Sequence, residues 1–126
     1  MKGVLFYLLC LGFFFSPTWV KAKSPFQYIW GTAHHLLPET HSDESGYFSL
    51  CEGNDGRIYI GTAKYNHNAY IVEFDPVTAK QRIVVDAHSV CGLTAKGYAA
   101  QAKFHTRNYV GPSGIIYAGT KQGYRK

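Results

Sequence analysis

The segment Gly53-Asn54-Asp55-Gly56-Arg57-Ile58-Tyr59-Ile60-Gly61-Thr62 returns, at a constant offset of 58, as Gly111-Pro112-Ser113-Gly114-Ile115-Ile116-Tyr117-Ala118-Gly119-Thr120. Both turn glycines, the tyrosine and the closing Gly-Thr pair are kept. A tight turn of the Asp-Gly kind leading into Ile-Tyr-Ile specifies a strand entered from a hairpin. Its recurrence implies stacked supersecondary units rather than one irregular domain. A fainter echo, Tyr28-Ile29-Trp30-Gly31-Thr32, carries the Gly-Thr with no turn before it. The competing interpretation is that Gly-turn-strand is simply common in β proteins.

From Gly46 onward, short runs rich in Tyr, Ile, Val and Phe alternate with turn residues, the pattern of strands. The predicted strands are Tyr47 to Glu52, Arg57 to Thr62, Ala69 to Phe74 and Gln81 to Asp86, the last two joined by the turn Asp75 to Lys80. Four strands on short turns make an antiparallel meander of about forty residues, the size of one propeller blade. The expected fold class is all-β: antiparallel four-stranded blades of a β-propeller, incomplete, about one and a half blades. Residues 1–22 form a leader, 23–45 an N-terminal segment, 46–87 the first complete blade, 88–108 a long inter-blade loop, and 109–126 the start of the next blade.

The turn followed by Ile-Tyr-Ile-Gly-Thr resembles the strand pair that recurs in secreted bacterial β-propeller repeat proteins of the regulator, quinoprotein and lactonase types. The resemblance covers residues 46–86 and 105–124. It implies architecture, since many unrelated activities share such repeats. With Ala33-His34-His35 and His105-Thr106-Arg107-Asn108, the order of features is also similar to secreted propellers of environmental bacteria. It is more loosely similar to propeller-fold polysaccharide lyases, which use His, Tyr and Arg. Propellers close with four to eight blades, and an open stack of two incomplete ones leaves an unpaired sheet edge. The chain therefore reads as a fragment or a truncated reading frame. The alternative is a small stand-alone β domain or one that assembles with copies of itself.

The leader has a basic tip at Lys2, an apolar run of twelve residues from Val4 to Phe15, and Val20-Lys21-Ala22 where a signal peptidase cuts. A spanning helix needs ~20 apolar residues, so a membrane anchor is the weaker interpretation, and the mature protein is expected to be secreted or periplasmic. Cleavage leaves 104 residues with eleven Lys and Arg against eight Asp and Glu, so the net charge falls from +5 to +3. That is too mild to imply a nucleic-acid partner. Export places Cys51 and Cys91 where a disulfide persists; two buried thiols are the equal alternative.

An antiparallel meander sends alternate connections to opposite edges of its sheet. The short turns 54–56 and 75–80 share one edge. The other receives Lys64-Tyr65-Asn66-His67-Asn68, the excursion Ala87 to Asn108, Lys121-Gln122-Gly123-Tyr124, and the approach to the first strand. On this basis all six histidines, His34, His35, His41, His67, His88 and His105, are expected on one loop-rich face, where binding groups gather on a rigid scaffold. The bland alternative is that loops are polar and these histidines are solvated.

The ligand-binding candidates are His35, Lys64, Tyr65, Asn66, His67, Asn108, Lys121 and Tyr124; tyrosine and asparagine beside lysine suit a saccharide ligand. The catalytic candidates are His34, His105 and Arg107. In a strand, His105 and Arg107 share a side, with arginine neutralising a uronate carboxylate while histidine takes the proton alpha to it. An ion pair that merely anchors the long loop is the plainer role for Arg107. The adjacent pair His34-His35 joins a divalent metal site only in a turn and with further ligands from His41, His67 or His105, Zn or Mn being the ions that suit imidazole. Phosphate-cradling glycine loops, Cys-x-x-Cys pairs, haem attachment sequences and serine nucleophile elbows have no match. The leading expectation is a module that binds an acidic saccharide. The alternatives are a β-eliminating lyase of uronate-containing glycans and a truncated product with no function of its own.

Overall fold

The computed structural model describes residues 28–42, 44 and 49–122. The chain divides into two compact units, Met1–Thr32 and Ala33–Lys126. In the first unit the described residues, 28–32, have no regular structure, so the faint third copy of the repeat forms no strand. The leader and Tyr124 lie outside the described residues. Among those described, no helix is long and apolar enough to cross a membrane.

The second unit is mostly β. β1 (Leu50–Glu52), β2 (Ile58–Gly61), β3 (Tyr70–Phe74) and β4 (Gln81–Asp86) form one antiparallel sheet in chain order, the meander that the sequence pattern specifies. Asp55 Oδ1 accepts the Arg57 backbone N–H at 3.1 Å, and Gly56 takes φ +74, a conformation natural only to a residue without Cβ. The second turn is built by Asp75, whose Oδ1 accepts the N–H groups of Val77 and Thr78, the local bonding that favours aspartate at turn starts. Where β3 pairs with β4 the register slips between Ile71 and Val72, leaving Val84 of β4 without an opposite residue.

The 58-residue repeat holds at the level of hydrogen bonds. The N–H of Gly53 donates to Arg57 O at 2.8 Å and that of Gly56 to Gly53 O at 3.0 Å; fifty-eight residues on, Gly111 donates to Ile115 O at 2.8 Å and Gly114 to Gly111 O at 2.9 Å. Gly114 has φ +82. The second hairpin pairs β6 (Tyr109–Val110) with β7 (Ile116–Tyr117), the counterparts of β1 and β2. The two hairpins lie side by side: β1 packs on β6, and Ser49 Oγ donates to Asn108 Oδ1 at 2.9 Å across the seam.

Residues 88–108, expected as one long loop, contain more structure than that. Asp86 caps a short helix, α1 (Ala87–Cys91), through Oδ1 and the Ser89 N–H at 3.0 Å, and Gly92 ends it at φ +64. β5 (Gln101–Phe104) then pairs with β8 (Thr120–Gln122). Its other side bonds back to the first sheet, with the N–H of Phe104 donating to Thr62 O, that of Lys64 to Ala102 O and that of Ala69 to Gln101 O. Lys121, expected in a loop, therefore stands in a strand opposite Lys103.

The core is small. Ala69, Ile71, Ala87 and Phe104 are buried together, with Tyr59 and Val85 packed against them. On the opposite face Val72 is fully buried. Residues 33–42 run from one end of the sheet to the other: the His34 ring packs 4.7 Å from Phe74 beside the 75–80 turn, the Leu37 N–H donates to Gln81 Oε1, and the His41 ring reaches His67 in the far loop.

Cys51 and Cys91 are both free, against the disulfide expectation. Cys51 lies in β1, one edge of the sheet, and Cys91 follows β4, the other edge. Three strand spacings amount to roughly 14 Å, whereas a disulfide needs Cα atoms within ~7 Å. The expected pair of buried thiols does not describe them either, since Cys51 is half-buried and Cys91 exposed.

Candidate functional site

The loop edge of the sheet carries a cavity of about 330 Å³. Its walls come from three segments. The 3-10 turn Pro38–Thr40 delivers His41, held at φ +50. The β2–β3 connection supplies Asn66, His67 and Asn68, with Tyr70 at the start of β3, and the stretch after α1 supplies Thr94, Ala95 and Lys96, with His88 from the helix itself. Asn66 sits at φ +67, and its carbonyl accepts the N–H of Gly97 at 3.1 Å, which folds the 94–97 stretch over the loop.

Hydrogen bonds fix the walls. The rings of His41 and His67 lie 4.7 Å apart, tilted by 38°. His88 Nε2 accepts the Gln101 N–H at 3.0 Å, so the ring carries its proton on Nδ1. Asn68 donates through Nδ2 to Asp86 at 2.6 Å and accepts the His88 N–H at 2.9 Å. Burial pushes the Asp86 carboxyl up, but hydrogen bonds from Ser89 and Asn68 outweigh it and hold the group below its ordinary value. Among the described residues, no carboxylate lines the cavity itself.

Of the expected one-sided histidines, His41, His67 and His88 line this cavity, whereas His105 is not in its wall, its N–H donating to Gly119 O between β7 and β8. His34 and His35 are at the opposite edge, the first against Phe74 and the second with its carbonyl accepting from Gln81 Nε2 at 2.6 Å. The expectation of one face fails for these two because residues 33–42 are laid out along the sheet. Eight residues of extended chain reach ~26 Å. The proposed catalytic set is divided in the same way, since His34 is at one edge and the exposed His105 and Arg107 are at the other. The expected alternation of His105 and Arg107 is not realised either, because β5 ends at Phe104 and β6 begins at Tyr109.

The remaining ligand candidates have structural partners. Tyr65 is placed by its N–H, which donates to Glu44 Oε2 at 2.7 Å. Its hydroxyl accepts from Lys103 Nζ at 2.9 Å, and that ammonium lies 4.6 Å from the ring centroid. Lys103 is only 2% exposed, a buried lysine that sequence pattern alone does not reveal. Asn108 is buried in the seam with Ser49, and its Nδ2 has no partner among the described residues. Lys64 donates its N–H to β5. Lys96 and Tyr70 escape sequence reasoning because nothing local signals that 94–97 folds back onto Asn66. Among the described residues, no three His, Cys, Asp or Glu side chains are grouped to hold a metal ion.

The short-turn edge is an ion-pair network. Glu73, buried in β3, accepts from Arg82 Nε at 2.8 Å and Nη2 at 2.7 Å and lies 3.3 Å from Arg57 Nε. Arg57 also bonds Asp55 at 3.0 Å. The Tyr59 hydroxyl donates its one proton to Asp55 at 2.9 Å and lies 3.3 Å from Glu73 Oε2; burial first, then the Asp55 bond, push Tyr59 up to about 12. Glu73 is held below its ordinary value by the Arg82 hydrogen bonds, Asp55 by the Arg57 N–H, and Asp75 by the Val77 N–H. A depressed folded-state value means that each carboxyl contributes stability above its unfolded value, near pH 4, and loses it as pH falls through the folded one. Thermal melts are expected to decline below about pH 4. Glu73→Gln is expected to cost about 2 kcal/mol at neutral pH, discounted from a fully buried pair because both arginines reach solvent, and to flatten the acid limb.

Comparison with known protein families, with curated proteins and with solved structures finds no match to this chain.

Proposed function

We propose that the chain is an exported β-propeller module, with one four-stranded blade and the first hairpin of the next, and that it binds an acidic saccharide in the cavity at the loop edge. The observation that carries this reading is the composition of the cavity: three imidazoles, the Lys96 ammonium and two asparagine amides, with no carboxylate among the described residues that line it. Such a wall presents donors and positive charge to a carboxylate-bearing ligand, and the Tyr70 ring offers an apolar face for a sugar. Support for the propeller architecture comes from the four-stranded meander, the side-by-side hairpins and the repeated hydrogen bonds. The lyase reading has less behind it, since the histidines proposed as bases stand outside the cavity wall and apart from one another.

Titration of the protein with uronate oligosaccharides, followed by calorimetry and by the histidine ring resonances, tests the binding. Lys96→Ala is expected to weaken binding about tenfold, the loss of one charge-assisted hydrogen bond, and to leave thermal stability unchanged because Lys96 is exposed. Shifts at His41 and His67 without shifts at His34 support the site. Binding that is indifferent to Lys96→Ala, or no binding, overturns it.

A further inference from the structure

His88 has four polar groups, and three of them are committed within the protein. Its backbone N–H donates to Asn68 Oδ1 at 2.9 Å. Its carbonyl oxygen accepts the N–H of Gly92, where α1 ends, and that of Leu93 at 2.8 Å. Ring Nε2 accepts the N–H of Gln101, the first residue of β5, at 3.0 Å. An imidazole that accepts through one nitrogen is uncharged and carries its hydrogen on the other. The fourth group is therefore an Nδ1–H, and none of the described residues accepts from it.

The anchors also fix where this donor stands. Turning the ring over would set a C–H against the Gln101 N–H, so the bond to β5 selects one orientation. His88 lines the loop-edge cavity, whereas Gln101, which takes Nε2, is not among the residues of its wall. The neighbouring wall groups are of other kinds. Asn68 spends its amide on Asp86 and on the His88 N–H, and Lys96 is an exposed ammonium. A carboxylate bonds more strongly to a cation than to a neutral donor, which leaves the uncharged oxygens of a sugar for the neutral ring. We infer that the Nδ1–H of His88 is a specificity-determining donor of the cavity, and that it reads a hydroxyl oxygen of the bound sugar while the carboxylate goes to Lys96. The inference rests on the acidic-saccharide reading of the cavity. A site built around such a donor rejects a ligand that brings no acceptor to it, because the N–H is then left unpaired.

The test uses the full chain, trigalacturonate and its methyl ester, and two substitutions that divide the imidazole between them. A glutamine amide reaches the position of Nε2, and an asparagine amide that of Nδ1. His88→Gln thus keeps the bond to β5 and removes the cavity donor; His88→Asn does the reverse. His88→Gln is expected to melt with the wild type and to bind both saccharides about fivefold more weakly. His88→Asn is expected to melt about 5 °C lower and to keep its affinity to within about twofold. Nitrogen NMR of the imidazoles is expected to show the His88 hydrogen on Nδ1, with that resonance moving on saturation and Nε2 staying in place. Unchanged affinity of His88→Gln, equal losses in the two variants, a loss confined to the free acid, or the hydrogen on Nε2 overturns the inference and leaves saccharide binding standing. No binding of trigalacturonate by the wild type overturns the saccharide reading and this inference with it.

Discussion

Phe104→Ala is expected to lower the unfolding free energy by about 3–5 kcal/mol, which is a large part of the ~5–15 kcal/mol that a small domain has. Phe104 is 4% exposed and is the largest of the four side chains buried together, beside Ile71 and the small Ala69 and Ala87. Alanines have no atoms with which to collapse into the vacated space, so the loss is expected at the upper end of that range. Its N–H also donates to Thr62 O at 3.2 Å, which anchors β5 to the first sheet. Urea unfolding followed by tyrosine fluorescence measures the effect. Phe104→Leu, which keeps most of the volume, is expected to cost about 1.5 kcal/mol or less. Equal midpoints for wild type and Phe104→Ala would mean that the core lies elsewhere.

Gly61→Val is expected to cost about 3 kcal/mol or more, by overpacking instead of by loss of contact. A Cβ at residue 61 would lie 2.6 Å from Phe104 Cβ and 2.7 Å from Ser49 Cβ, with Ser49 Oγ closer still. None of the three can retreat. Ser49 is buried and hydrogen-bonded to Asn108, its carbonyl accepts the Gly61 N–H at 2.7 Å, and the colliding atom of Phe104 is the first of its side chain. Phe104→Ala therefore brings no relief, whereas Ser49→Gly is expected to restore part of the loss. Thermal melts of the three single variants and of Gly61→Val with Ser49→Gly decide the matter; an unchanged melt for Gly61→Val would mean that the sheet and β5 are farther apart than described here.

The sequence made the first sheet legible because its strands are consecutive, its turns carry aspartate and glycine where backbone bonding needs them, and each partner is a few residues away. The second hairpin was legible through its offset from the first. β5 was not, since Gln-Ala-Lys-Phe is too short to declare a period and its partner β8 lies on the far side of the second hairpin. α1 left signals, Asp86 before it and Gly92 after it, that sit within a stretch assigned to a loop. The sequence placed Asn66, His67, His41 and His88 on one edge by the side to which a meander sends its connections, and the four line one cavity there. It misplaced His34 and His35, since no local pattern tells an extended segment lying along a sheet from one held at its edge. Lys103 has the composition of a surface residue and is buried because a tyrosine from another loop meets its ammonium.

β5 belongs to both repeats at once, bonded on one side to residues 62–64 and 69 and on the other to β8. In a linear array of blades each unit can open at its own cost, and a break between neighbours stays where it occurs. A shared strand removes that freedom. Loosening either hairpin strips ladder bonds from the same four residues, so the two copies are wired as a single foldon, and damage to one is communicated to the other without passing through the loops between them.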